Sequence, residues 1–146
     1  GTAHTKNGIE NIAYLTMFYE DDFIAHSNVS WISPLKIRNV LIGGDKKMIV
    51  YDDTEPTEKV RIYDSGFSVK DLEGEHAMRV DYRVGDIYIP KLVTTEALKE
   101  MALDFLHCIQ TKSEPLSNAS LGLTVVKVLE AAQKSIEKRG HEEVLC

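Results

Sequence analysis

The feature that most constrains this chain is a single change of hydrophobic period. Up to Val93 the apolar residues recur at a spacing near two, and from Thr94 onward they recur at about 3.6. Strands therefore come first and helices last, with no strand–helix alternation from which a parallel βαβ unit could be built. That order predicts an α+β fold: an open, mostly antiparallel sheet with two C-terminal helices packed on one face.

The strand region divides at its polar interruptions. Ile12 to Tyr19 is aromatic and β-branched on both faces, Glu20-Asp21-Asp22 makes a polar turn, and Phe23 to Ile32 completes a hairpin. After Pro34, Ile37 to Ile42 alternates up to Gly43-Gly44-Asp45, whose glycines are suited to positive φ, and Met48 to Tyr51 continues as a strand. An acidic connection from Asp52 to Glu58 leads into Lys59 to Tyr63, with Val60 and Ile62 inward. A weakly patterned stretch follows, and then Gly85 to Pro90 gives a short strand.

The first helix carries Leu98, Met101, Ala102, Phe105 and Ile109 on one face, with Thr94 or Thr95 as cap and Glu96 suited to the first-turn dipole. Lys112, Ser113 and Pro115 end it. Ser117 or Asn118 caps a second helix, striped by Leu121, Val125, Val128, Leu129, Ala132 and Ile136 and stopped at Lys138-Arg139-Gly140.

With 146 residues, 43% hydrophobic and 27% charged, the chain is expected to form one domain over residues 1–140, followed by a flexible tail over 141–146. A net charge of -6, with acidic clusters at Asp52, Asp53, Glu55 and Glu58 and around Asp71, Glu73 and Glu75, argues against a nucleic-acid partner. No apolar run approaches the roughly 20 residues that span a bilayer. Cys108 and Cys146 form neither a CxxC pair nor a disulfide framework, so the expected setting is a cytoplasmic one, with no membrane partner. The chain opens at Gly1 without an initiator methionine, which fits a piece of a longer protein.

Chemistry is sparse. A dinucleotide site needs glycines between a strand and a helix, whereas Gly43-Gly44 lies between two strands. His4, His26, His76, His107 and His141 show no metal-ligand spacing. Ser65 lacks a GxSxG setting, Cys108 lies beside an apolar stripe where helix packing explains it, and the pairs Asp52-Asp53 and Glu142-Glu143 read as solvated charge. Three residues remain for substrate binding. His26 shares a strand face with Ile24, Asn28 and Ser30; Arg38 alternates with Val40 and Ile42 and, if buried, needs a carboxylate; Arg83 is placed to meet an anionic substrate or to pair with Asp81 or Asp86. Trp31 is read as core packing with Phe23, Ala25 and Val29.

The order of several motifs carries a resemblance. Trp31-Ile32-Ser33-Pro34, Lys36-Ile37-Arg38 and the run from Ile42 to Asp53 are followed by Gly85-Asp86, Pro90-Lys91-Leu92 and Glu96-Ala97-Leu98. Pro115-Leu116-Ser117, Gly122-Leu123 and the run from Val125 to Ala132 complete the series. Together, from about Asn11 to about Lys138, they resemble the C-terminal domain of the glucose-fructose oxidoreductase/inositol dehydrogenase (Gfo/Idh/MocA) family, nearest to members acting on nucleotide-linked sugars. The resemblance implies a parent oxidoreductase with an N-terminal Rossmann domain that binds NAD or NADP and is absent from this chain. In that parent, this sheet forms a wall of the sugar pocket and the oligomer interface. The family's catalytic lysine and Asp/His pair precede the first strand seen here, so neither a catalytic residue nor a cofactor-binding residue is carried over onto this chain.

Two functions are thus expected to compete. One is a catalytically silent C-terminal domain of an NAD(P)-dependent dehydrogenase of a sugar or nucleotide-sugar. The other is a stand-alone sheet-based dimerisation or binding module without catalysis. Either way, a sheet apolar on both faces with only two helices needs another covering layer, and a homo-oligomer through the sheet face is expected.

Overall fold

The computed structural model describes residues 1–6, 8–71, 78–93 and 95–145. The chain is α+β, with antiparallel sheets followed by two C-terminal helices, as the change of period requires. It divides into two compact units, Gly1–Pro34 with Thr95–Cys146, and Leu35–Thr94.

The first unit holds the hairpin of β1 (Ile12–Phe18) and β2 (Ile24–Ser30) together with α1 (Ala97–Thr111) and α2 (Ala119–Glu137). The hairpin turns where the acidic triplet predicts: Asp21 and Asp22 both adopt left-handed φ near 58°, a region short polar side chains tolerate, and Tyr19 N–H donates to Phe23 C=O at 2.9 Å. Register pairs Ala13 with Val29, Leu15 with Ser27 and Met17 with Ala25, and Ala13, Leu15, Met17, Ala25 and Ser27 are half-buried. The opposite face, Tyr14, Thr16, Phe18, Ile24, His26 and Asn28, is exposed. The N-terminal segment is tied to this hairpin through Asn11, the one fully buried polar residue among those described. Its N–H donates to Thr2 C=O, its C=O accepts from Trp31 N–H, and its Oδ1 lies 2.7 Å from His4 Nδ1.

α2 keeps its expected boundaries, whereas α1 departs from the expected cap and from the expected buried face. α1 begins after Glu96, whose side chain makes no capping hydrogen bond, so Thr95 is not the cap; Thr94 lies outside the described residues. α2 is capped by Asn118, whose Oδ1 accepts from Leu121 N–H at 2.8 Å. The expected stripe of α1, including Leu98, Met101, Phe105 and Ile109, faces solvent, and the covered side runs instead through Asp104 and Cys108. Cys108, 7% exposed, is the only fully buried apolar residue among those described. Periodicity marks the face that favours cover; it does not supply the covering layer. Trp31 departs similarly: it is 63% exposed rather than core, held by its Nε1–H donating to Glu10 C=O at 2.9 Å.

The second unit carries a four-stranded antiparallel sheet in the order β3 (Asn39–Gly43), β4 (Met48–Asp52), β5 (Val60–Tyr63) and β8 (Ile87–Tyr88). A separate hairpin pairs β6 (Gly66–Asp71) with β7 (Met78–Arg83). Strand parity sorts the four-stranded sheet into two unlike faces. One carries Val40, Ile42, Ile49, Tyr51, Val60, Ile62 and Tyr88; the other mixes Leu41, Met48, Val50, Tyr63 and Ile87 with Asn39, Asp52 and Arg61. Val60 and Ile62 thus share the apolar face, as their alternation predicts.

The β3–β4 turn closes with Gly44 N–H donating to Lys47 C=O at 3.0 Å, but neither Gly43 nor Gly44 uses positive φ. Glycine is demanded elsewhere. A Cβ on Gly66 would run into the carbonyl oxygen of Asp45, and one on Gly85 would meet the carbonyl oxygen of Asp64 at 2.6 Å. The weakly patterned stretch after Tyr63 therefore forms β6 and β7, which the sequence reading left unassigned.

Candidate functional site

The densest polar constellation lies at one end of the apolar face, where three strands bring four side chains together. Asp53 follows β4 and is the centre. Tyr51 Oη–H donates to Asp53 Oδ1 at 2.9 Å, Arg38 Nη1 lies 3.4 Å from Asp53 Oδ2, and Lys59 Nζ lies 3.6 Å from Asp53 Oδ1. Lys59 Nζ also donates to the Asp53 carbonyl at 2.9 Å. Hairpin geometry explains the meeting: Asn39 pairs with Asp52, so one rung further Arg38 faces Asp53, whose N–H donates to the Arg38 carbonyl at 2.9 Å. Arg38 thus has the carboxylate partner its position calls for, although its side chain is exposed rather than buried.

These contacts set the local electrostatics. The Tyr51 hydroxyl, then Arg38 and Lys59, hold the Asp53 carboxyl below the usual carboxylate range, and the same hydrogen bond pushes the Tyr51 phenol up. Asp52 is held low chiefly by Thr54, whose Oγ1–H and N–H both donate to Oδ1, and Glu55 is held low by the N–H and Oγ1–H of Thr57. The acidic connection is therefore an ordered pair of side-chain-closed turns, and Asp52 and Asp53 are engaged in it rather than merely solvated. A phenol made less acidic beside a carboxylate made more acidic is a poor acid–base couple near neutrality. The constellation can hold strands in register and present charge at the sheet's end.

Arg83 stands at the other end of the β3–β4 hairpin, roughly 13 Å away along the strand rise. Its Nη1 lies 2.6 Å from Asp64 Oδ2, and its Nη2–H donates to the Lys46 carbonyl at 2.6 Å. The partner is Asp64, which Arg83 holds low, rather than Asp81 or Asp86. One guanidinium thereby joins the end of β7, the segment after β5 and the β3–β4 turn. Nothing in the sequence around Arg83 points to Asp64, because the link depends on the β6–β7 hairpin, which places Arg83 opposite Gly66.

His26 belongs to the first unit, on the exposed face of β2, with Nδ1 3.0 Å from Oγ1 of Thr16, its direct cross-strand partner on β1. The three nominated residues therefore sit in three settings: His26 in a cross-strand pair, Arg38 in the Asp53 cluster, and Arg83 in the turn staple. A larger concavity, about 920 Å³, runs along α1 and the linker to α2, lined in part by Met101, Phe105, His107, Pro115 and Leu116. It contains none of the three. Among the described residues no group of His, Cys, Asp and Glu is arranged to hold a metal ion, and no helix is long and apolar enough to cross a membrane.

No family model, no curated protein and no solved structure matches the chain.

Proposed function

We propose that the chain is the sheet-forming C-terminal domain of a cytoplasmic NAD(P)-dependent oxidoreductase acting on a sugar or nucleotide-sugar. In this reading it supplies a wall of the substrate pocket and an oligomer interface through the apolar sheet face, and the nicotinamide and the hydride transfer belong to a Rossmann domain in the parent. The observation that supports it best is the four-stranded sheet itself, which pairs a continuous apolar face with the charged Arg38–Asp53–Lys59 cluster at one end. Such a surface suits a wall that is closed by another layer and recognises a polar ligand at its margin. The motif order from Trp31 to Ala132 supplies the family.

Two experiments test the reading. Calorimetric titration of the 146-residue chain with NAD(H) should give no binding, and saturable binding would contradict the assignment of the cofactor to another domain. The coding sequence upstream of Gly1 should contain roughly 150 to 200 codons opening with a glycine-rich βαβ unit. An upstream region without one would remove the oxidoreductase reading.

A second reading, a stand-alone dimerisation or binding module without catalysis, is favoured by the state of the three nominated residues. Arg38, Arg83 and His26 all engage groups of this same chain. His26→Ala and Arg38→Ala, assayed in the parent, test the pocket wall: a raised KM for sugar supports it, and unchanged kinetics removes both residues from the substrate site.

A further inference from the structure

We infer that Arg61 is an oxyanion-binding residue, and that the mixed face of the four-stranded sheet receives the carboxylate or phosphoryl group of a small ligand. The inference rests on the pocket-wall reading proposed above and deepens it by naming the face, the side chain and the chemical group recognised. Arg61 lies on β5, an inner strand with β4 on one side and β8 on the other, and it is half-buried. Its Nε is shielded from solvent and meets no acceptor, and among the described residues no hydrogen bond or ion pair reaches its Nη atoms. Two other arginines of the same unit are committed: Arg38 lies 3.4 Å from Asp53 and Arg83 lies 2.6 Å from Asp64.

Strand register explains why this guanidinium is left over. Val50 lies directly opposite on β4, and one rung past the Ile62–Tyr88 pair the neighbour is Ile89, so both flanks are aliphatic. Lys59, two residues earlier on β5, turns its ammonium to Asp53. The opposing charge that Arg61 feels is Asp52, but that carboxyl is held low first by Thr54 and last by Arg61. Asp52 Oδ1 already accepts from both the N–H and the Oγ1–H of Thr54. A guanidinium carries N–H donors in a fixed fork, and leaving a shielded donor unpaired is unfavourable.

The ligand chemistry follows from the fork. A carboxylate or phosphoryl group accepts two parallel N–H bonds from it, and aliphatic neighbours strengthen them by keeping the local dielectric low. On the same face Leu41, Met48, Val50, Tyr63 and Ile87 supply apolar surface with one phenol, a lining suited to a ligand body that carries a single anionic group. Because Nε is shielded, the side chain turns outward to bind, and its N–H reports that step. The net charge of -6 opposes any general attraction of anions to the chain, so saturable binding identifies a local site.

The test is NMR of the arginine Nε–H groups in the full 146-residue chain, titrated with inorganic phosphate and with acetate against sodium chloride at matched ionic strength. The Arg61 signal should shift saturably, with a Kd in the millimolar range for at least one oxyanion. Tighter phosphate assigns the site to a phosphoryl group, and tighter acetate assigns it to a carboxylate. Arg61→Gln, with far-UV circular dichroism to confirm folding, should weaken binding by at least about tenfold. The wild-type signal needs no variant, so it decides the matter even if Arg61→Gln does not fold. An Arg61 signal that moves no further than in the chloride control overturns the inference, as does equal affinity in a folded Arg61→Gln chain. Both outcomes are separate from the NAD(H) titration and the upstream coding sequence, which test the oxidoreductase reading.

Discussion

Gly66 shows how one residue holds a unit together by having no side chain. Its backbone lies against the β3–β4 turn, Phe67 N–H donates to the Asp45 carbonyl at 2.9 Å, and any Cβ would strike that carbonyl and crowd the backbone of Lys46. Gly66→Val is therefore expected to cost about 1–3 kcal/mol, read as a lower urea midpoint with an unchanged slope. An unshifted midpoint would mean the close approach does not exist in solution. Tyr51→Phe makes a subtler change: the ring stays on the apolar face but the hydroxyl bonded to Asp53 is gone. The Asp53 carboxyl should then titrate closer to its ordinary value of about 3.9, measured by carboxyl carbon NMR. No movement would assign the shift to Arg38 and Lys59 alone. The two arginines differ in how legible they were. Once the turn is placed at Gly44 to Lys47, counting back along the hairpin puts Arg38 opposite Asp53, so that pairing was within reach of the sequence. The Arg83–Asp64 pairing was not, because it requires β6 and β7.

At the scale of elements, alternation and turn residues located six strands and both helices, and failed where the pattern was short. β6 and β7 do alternate in sequence, through Phe67 and Val69 and through Val80 and Tyr82, but charged residues between them left no uninterrupted apolar run to register as a strand. α2 is capped by one of the two residues nominated, and Asn118→Ala should lower stability by about 1 kcal/mol through loss of the bond to Leu121 N–H. A thermal midpoint unchanged within error would contradict that role. The turns after β4 carry a pH dependence. Asp52, Asp53, Glu55 and Asp64 are all held low in the folded chain, so their contribution is full above the unfolded values near 4 and is lost as pH falls through the lower folded values. Tyr51 is shifted upward, so its contribution is full below about 10 and is lost as pH rises through its raised folded value. The thermal midpoint should therefore fall most steeply below about pH 4, with a shallower slope in Asp53→Asn. An equal slope in the variant would remove Asp53 from the acid transition.

For the whole molecule, the sequence was most informative about which surfaces favour cover and least informative about what covers them. The stripe of α1 and both faces of β1 were legible as apolar, yet among the described residues only Cys108 is fully buried as an apolar side chain. A chain of this length folding alone ordinarily buries about two thirds of its surface around one core. The exposed α1 stripe and the solvent-facing Trp31 are surfaces that the proposed function would cover with a second copy of the chain or with the domain proposed for its parent. Multi-angle light scattering of the purified 146-residue chain across the micromolar range tests that claim most directly. The account predicts a molar mass about twice the 16.4 kDa of one chain, and a species that stays at 16.4 kDa throughout would contradict it.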